Sequence, residues 1–440
     1  MSNDERSSSE TVDSARSSWS SESLNWWDDW PPDFDGTGLF QRLESEDHPL
    51  FRFDVREVLK EVEGRLGGTV VDIPRVGKGS NYFGMHLCLA GAAEVLVRIA
   101  RCDVNSLVHA GAIPEEIADL LEQQARDVQF EAEIYQLLSS HREVLTSDLL
   151  YHRAPTYTPN APPPCDTLGR ALFIFAKTDG ASNVWPEDAE SRFLILEQCA
   201  RLRATLFRLT LPTDFITLWL TRCPPSAKSI PGDITPTREF AIAFLRAKIA
   251  EMIPDEGGLI GWEEDHTLVG PRASAAKKSL LRLVPLIMPP EGDHPYRLVL
   301  EHGDFGMHNM VITDPPAPRV TSLYDWETAH IVPALLSDPQ MATYVDLGLD
   351  GEGVPRISRT WEGMTDEECD EYASYAAQYY RILGEHAPEY VQAIKAGKDA
   401  RRIWFALKAW RGDDPEEYFG ELGEWADRRF QEIAGDVDGS

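Results

Sequence analysis

The chain has 440 residues, 42% of them hydrophobic and 26% charged, enough for one large domain with subdomains or for two to three smaller ones. Its 73 acidic residues against 42 Lys and Arg give a formal net charge of −31, which sets it against nucleic acid and anionic membrane as general partners. No apolar run reaches the ~18 residues that cross a bilayer and no basic-then-apolar leader opens the chain, so the cytoplasm is the expected location.

In chain order, residues 1 to 35 read as a disordered acidic tail ending in a Trp-rich segment, NWWDDWPPDF, with Trp26, Trp27 and Trp30 among acids and prolines. That segment reads as a flap docking on the folded body, with a peptide motif for a protein partner as the unsupported alternative. Val55, Val58, Leu59, Val62 and Leu66 follow helical spacing. A short strand at Thr69–Ile73 leads into VGKGSNYFG, a Gly-rich turn carrying Gly77, Gly79 and Gly84, and then into two alternating strands around Met85–Leu89 and Val95–Ile99. Arg98 points away from the face of Val97 and Ile99. A helix is expected over about Ile113–Leu138, with Glu131, Ile134, Leu137 and Leu138 on one side. Arg153–Thr167 holds five prolines and reads as a loop; Ala171–Ala176 is an apolar strand ending in the turn KTDGASN. Helices follow at about Glu187–Leu209 and Thr237–Met252, and the last hundred residues read as helical. The six cysteines are scattered without C-x-x-C pairs and read as reduced core thiols.

The richest stretch is LVLEHGDFGMHN, followed by SLYDWET. Apolar Leu298–Leu300 delivers His302 and Asp304 to a loop, Asn309 comes five residues after Asp304, and Met310–Ile312 is a second strand. A third strand, Val320–Tyr324, ends on Asp325. An acid able to accept a hydroxyl proton, with an amide and a second acid able to hold Mg²⁺ against ATP phosphates, is the equipment of ATP-dependent phosphoryl transfer. Loop capping is the plainer reading of the same residues.

With those motifs in hand, the chain resembles the aminoglycoside phosphotransferase-like group of the protein-kinase-like superfamily, most closely its fungal-type members of undefined substrate. The resemblance runs over roughly residues 65 to 345 and rests on VGKGSNYFG, VLVRIAR, FEAEIYQLL, LFIFAKTDG, LEHGDFGMHN and LYDWE. It implies an α+β, bilobal protein-kinase-like fold: a β-rich N-lobe over 36–170, a linker at 171–180, and a helical C-lobe over 181–440 with its catalytic loop at 300–327. ATP and Mg²⁺ are the implied co-substrate and cofactor, and a hydroxyl of an unidentified small molecule is the implied acceptor. Residue by residue, Asp304 looks like the catalytic base and His302 its structural support, with Asn309 and Asp325 as Mg²⁺ ligands. Gly77, Gly79 and Ser80 resemble the loop over the phosphates, Phe175 and Lys177 stand where backbone would meet adenine, and Glu131 resembles the carboxylate that orients the phosphate-binding cation.

That cation position holds Arg98 where the family commonly has Lys, with Lys78 as a nearby second cation. Arg keeps its charge and can clamp phosphate in two-point fashion, but its fork is larger. The substitution leaves open a catalytically impaired nucleotide-binding or interaction protein as a second reading. Protein kinase is third, because Gly303 stands where those enzymes have Arg and Glu327 where they have Gly.

Overall fold

The computed structural model describes residues 55–91, 94–101, 114–141, 143–156, 167–222, 235–254, 260, 266–314, 316–358, 360–410 and 417–438. The expected tail and Trp-rich segment at 1–35, Cys102, Cys165, Cys223, most of the proline-rich loop and the Lys78 side chain lie outside them.

The first lobe is built on one antiparallel sheet in the order β1-β2-β3-β5-β4. Its strands are β1 (Val70–Lys78), β2 (Tyr82–Leu89), β3 (Glu94–Ala100), β4 (Leu149–Arg153) and β5 (Leu172–Ala176), with helix α1 (Val55–Leu66) before them and α2 (Pro114–Ser139) between β3 and β4. Alternation along each strand sorts side chains onto two faces. Val97, Ile99, Leu172 and Ile174 join Val58 and Val62 of α1 in one buried cluster. Phe173 and Phe175 point the other way and join Phe130, Ile134 and Tyr135 of α2 in the larger core. Each fully buried side chain of this kind contributes roughly 1.5–3 kcal/mol. Arg98, paired in register with Phe173, therefore sits on the face turned toward the second lobe, as its place in the alternation demanded.

β1 is longer than expected. It runs to Lys78, so Gly77 and Gly84 are strand residues in register with one another, and only residues 79–81 turn the hairpin. β5 is also fully a sheet strand, hydrogen-bonded to β3 and β4, so of the segment expected as linker only the residues after Lys177 leave the sheet.

The second lobe is mainly helical: β6 (Ala181–Ser182), then α3 (Ala189–Arg208), α4 (Thr213–Arg222), α5 (Arg238–Met252), α6 (His266–Ile287) and a single turn, α7 (Asp293–Tyr296). Asp188 and Thr237 cap α3 and α5 by accepting from the Ser191 and Phe240 N–H groups. Strands β7 (Leu298–Glu301), β8 (Met310–Ile312), β9 (Val320–Leu323) and β10 (His330–Pro333) follow, β7 pairing with β10 and β8 lying between β6 and β9. The expected all-helical final hundred residues need a correction. A small sheet of β11 (Met341–Ala342), β12 (Asp346–Leu349) and β13 (Pro355–Ile357) comes first, its β12–β13 turn held by the Asp350 carboxylate, which accepts from the Glu352 and Val354 N–H groups. Only then come α8 (Asp366–His386), α9 (Pro388–Ala396), α10 (Lys398–Ala409) and α11 (Tyr418–Asp438). A capping box between Thr365 and Glu368 starts α8. No helix among the described residues is long and apolar enough to cross a membrane.

Candidate active site

Two loops between short buried strands carry the candidate residues. The first leaves β7 and holds His302, Asp304 and Asn309; the second leaves β9 and holds Asp325 and Glu327. Backbone bonds stitch them into one unit: the Tyr324 N–H donates to Asn309 O at 3.0 Å, and the Tyr324 hydroxyl donates to His308 O at 2.6 Å.

His302 is fully buried and its Nε2 lies 2.8 Å from Tyr324 O. A carbonyl only accepts, so Nε2 carries the proton, and Nδ1 is left buried with no partner. Burial lowers its pKa to about 4, so the ring is neutral and acts as a rivet between the loops. Gly303 follows with φ +83°, and a Cβ there would meet Thr328 O at 2.3 Å. Only glycine fits, so no side chain has room at this position.

Asp304 is half-exposed. Its Oδ2 accepts from His308 Nε2 at 2.9 Å and from Asn309 Nδ2 at 3.0 Å, and Oδ1 has no partner among the described residues. Burial pushes its carboxyl up, but the bond and charge of His308, with His302 and Asn309, outweigh it and hold the group below the usual carboxylate range. Asn309 is buried and spends Nδ2 on Asp304 O and Oδ2, which leaves its Oδ1 as a free acceptor. Asp325 stands at φ 69° and ψ 58°, a left-handed conformation that Asp tolerates, and its N–H donates to the Tyr135 hydroxyl at 3.2 Å.

Arg98 joins the lobes here. Nη1 reaches Glu131 at 2.8 Å, Nη2 reaches Asp325 Oδ1 at 2.7 Å, Glu327 lies at 4.0 Å, and the guanidinium rests 4.4 Å from the Tyr82 ring centre. Glu131 is buried on this pair, whereas Glu133 on the same helix accepts from Gln129 instead. Burial, with Asp325 and Glu327 facing it, raises the Glu131 carboxyl to about 7 against the pull of Arg98. Burial works against the Arg98 charge, but Glu131 and Asp325 hold its pKa well above the ordinary value.

The remaining expected residues lie around this junction with different engagement. In the hairpin turn the Gly79 N–H donates to Tyr82 O at 2.8 Å, and Arg101 Nη1 donates to the Gly79 and Ser80 carbonyls at 2.7 and 3.0 Å. Gly77, in β1, opens onto free space on its Cβ side. Phe175 packs its ring 4.8 Å from Tyr135 inside the core. The Lys177 N–H donates to Glu94 O at 3.1 Å and its ammonium pairs with the Glu94 carboxylate, so that N–H is committed to the sheet.

Three residues outside the expected site set also meet here. Asn81 Nδ2 donates to Glu327 Oε1 at 2.5 Å, which ties the hairpin turn to the Asp325 loop. Glu327, noted only for not being Gly, has its carboxyl raised by burial and by Asp325. His308 sits one residue before Asn309 on the turn 307–309, and that i, i+4 offset from Asp304 is the signal that could have found it.

The donor set fits a hard divalent cation: one amide oxygen and one carboxylate with an oxygen to spare, both oxygen ligands. No group of three or more His, Cys, Asp or Glu able to hold a metal exists among the described residues.

No sequence-family model matches the chain, and no curated protein matches it in sequence. Solved structures to which it is similar include a macrolide 2'-phosphotransferase from Brachybacterium faecium as apoenzyme, at 12% identity, with TM-score 0.38, covering 85% of this chain and 96% of that one. An aminoglycoside-3'-phosphotransferase of type VIII is similar at 15% identity and TM-score 0.36, over 78% of this chain and 97% of that one. An amicoumacin kinase in complex with AMP-PNP and Ca²⁺ is similar at 10% identity and TM-score 0.36, over 85% and 94%.

Proposed function

We propose that the protein is an ATP- and Mg²⁺-dependent phosphotransferase acting on a hydroxyl of a small molecule. The observation that carries this reading is the pairing of a half-exposed Asp304, whose Oδ1 is free, with acceptor oxygens on Asn309 and Asp325 in two loops bonded to each other. Asp304 orients the acceptor hydroxyl and takes its proton. With its pKa held low it is a weak base, which suits a loose transition state in which the proton leaves late. His302 fixes the loop, and Glu131 holds the Arg98 guanidinium toward the phosphates. Mg²⁺ held by Asn309 and Asp325 would neutralise charge building on the transferred group.

The test is a thermal-shift titration with ATP, with and without Mg²⁺, on wild type and Asp325→Ala. A Mg²⁺-dependent rise in Tm that the variant loses supports the reading; no shift in wild type removes it. A second reading, a nucleotide-binding protein with impaired catalysis, draws on Arg98, whose Nη2 rests on Asp325 Oδ1, a group the metal also needs. Slow ATP hydrolysis without acceptor, abolished by Asp304→Ala, separates the two, since the second reading expects none.

A further inference from the structure

Away from the candidate active site, a cavity of about 570 Å³ opens between the β12–β13 turn, the start of α10 and one face of α11. Its size falls within the range of small-molecule sites. Its lining runs against the character of the chain. In a protein of net charge −31, Arg356, Lys398, Arg401, Arg402 and Arg429 all line this one space. Five cations gathered together repel one another unless something answers them.

The acids in the wall answer only part of that charge. Asp399 accepts from Arg429 Nε at 2.8 Å and Glu432 from Arg429 Nη1 at 2.9 Å. Asp350 is occupied by the N–H groups of its own turn, and Glu352 pairs with Lys398. Among the described residues Arg356, Arg401 and Arg402 make no ion pair within 4.0 Å, although the charge of Arg356 acts on the Asp350 carboxyl and that of Arg401 on the Asp338 carboxyl. Two of them are nevertheless held in place by aromatic faces: Arg401 lies 4.9 Å from the Phe405 ring centre and Arg402 lies 4.6 Å from that of Trp425. Arg401 is further fixed by donating to Ser337 O.

The backbone adds to the same field. The twelve-residue helix α10 begins at Lys398 and Asp399 in the cavity wall, and its N-cap, Gly397, supplies no side-chain cap. The positive end of the helix dipole favours an anion there, offset in part by Asp399 in the first turn and by the carbonyl end of α9, which Gly397 also caps. A Cβ at Gly397 would meet Leu335 O at 2.2 Å, so a capping Ser or Asp is sterically barred.

We infer that this cavity binds a phosphate dianion, free or as the head of a small phosphomonoester, gripped by Arg356, Arg401, Arg402 and the N-terminus of α10. Arginine forks and a helix start are matched to phosphate oxygens, and the rings of Phe405 and Trp425 offer an apolar neighbour for an ester group. The site does not depend on the phosphotransferase reading.

The experiment is isothermal titration of the full chain at pH 7 with inorganic phosphate and with phenyl phosphate, against sodium chloride of equal ionic strength. Wild type should bind phosphate beyond the chloride baseline. Arg356→Gln with Arg402→Gln should weaken it roughly tenfold or more, because two charge-assisted contacts are lost. Both side chains are exposed, and Arg356→Gln alone, which disturbs no ring contact, should weaken binding by a smaller factor. Phenyl phosphate binding tighter than inorganic phosphate marks an ester as the ligand; equal affinity marks free phosphate. No binding beyond chloride in wild type overturns the inference. So does binding that the double variant retains, which would put phosphate elsewhere, beside Arg98 for example. The Mg²⁺·ATP thermal shift is read in the same double variant; its persistence separates this site from the nucleotide cleft.

Discussion

Glu301 and Asp304 are two acids three residues apart at the end of one strand, and they have been put to opposite uses. Glu301 is buried and saturated: Ser337 Oγ donates to it at 2.5 Å, the Asp338 N–H at 2.8 Å, His330 Nε2 lies at 3.3 Å and Arg203 at 4.0 Å. Burial pushes its carboxyl up, but His330, Arg203 and Ser337 pull it down to about 2. Asp304 is half-exposed with one oxygen free, and its shift is milder. The larger perturbation belongs to the acid that no substrate can reach. A shifted pKa marks a group in a strong local field; only access to solvent and a free lone pair separates a chemical group from a structural one.

The sharpest way to break that contrast is to remove each acid. Asp304→Ala should lower turnover by roughly 10²- to 10⁴-fold while ATP affinity changes little, because the group acts on the acceptor proton. Its Tm should move little, since a half-exposed acid holds little of the fold. Steady-state kinetics beside a nucleotide titration reads both, and unchanged activity would sink its assignment as base. Glu301→Ala should do the reverse. Stripping one member from a buried charged network costs roughly 3–5 kcal/mol, seen as a lower denaturation midpoint. Arg203 would be left buried over the Phe305 ring with its nearest carboxylate gone.

The same contrast governs what the sequence revealed. Asp304, Asn309 and Asp325 were legible because short apolar strands flank them and their spacing is local. Arg98 and Glu131 were placed by strand alternation and helix face, and both face the junction where the structure joins them. The network around Glu301 was not legible, because its members come from positions 203, 330, 337 and 338, with Tyr390 beyond, and no local period links them. Helix α6 was missed because Pro271 and Pro285 lie inside it, and proline normally argues against a helix. Packing overrides that preference: Ala276 of α6 lies so close to Gly423 of α11 that a Cβ there would meet the Ala276 Cα at 3.0 Å. The small sheet at 341–357 escaped notice because its strands are only two to four residues long, too short for alternation to show.

His302, between the two acids, offers a pH test. Its pKa is about 4 in the fold against an ordinary 6.5, so the unfolded chain binds the proton more readily. The stability it contributes is whole above pH 6.5 and is lost as pH falls toward 4. From pH 7 to pH 5 the loss from this group is about 2 kcal/mol. Glu131 acts with the opposite sign: raised to about 7, its contribution is whole below pH 4.5 and is lost as pH rises through 7. Total stability is therefore the wrong readout. The difference between wild type and His302→Gln, by denaturant unfolding at both pH values, isolates the histidine. The variant should lose less stability on acidification; equal losses would mean the buried ring is not neutral.

Glu327 completes the series, with side-chain exposure of 25% between 4% for Glu301 and 51% for Asp304. Its carboxylate lies 4.0 Å from Arg98 and accepts from Asn81, while its backbone carbonyl accepts from Arg222. Glu327→Gln keeps an acceptor for Asn81 and gives up a charge that burial and Asp325 already disfavour. Unfolding free energy should therefore change by no more than about 0.5 kcal/mol, the smallest effect of the set. Removing a negative charge beside Asp325 should also leave Arg98 more fully committed to Asp325 and Glu131. Nucleotide affinity without metal is the place to see it, and Mg²⁺-dependent affinity should fall slightly as the field that draws the cation weakens. A loss in stability as large as that for Glu301→Ala would show that the Asn81 tie between hairpin and loop, and not exposure, sets how much each acid matters.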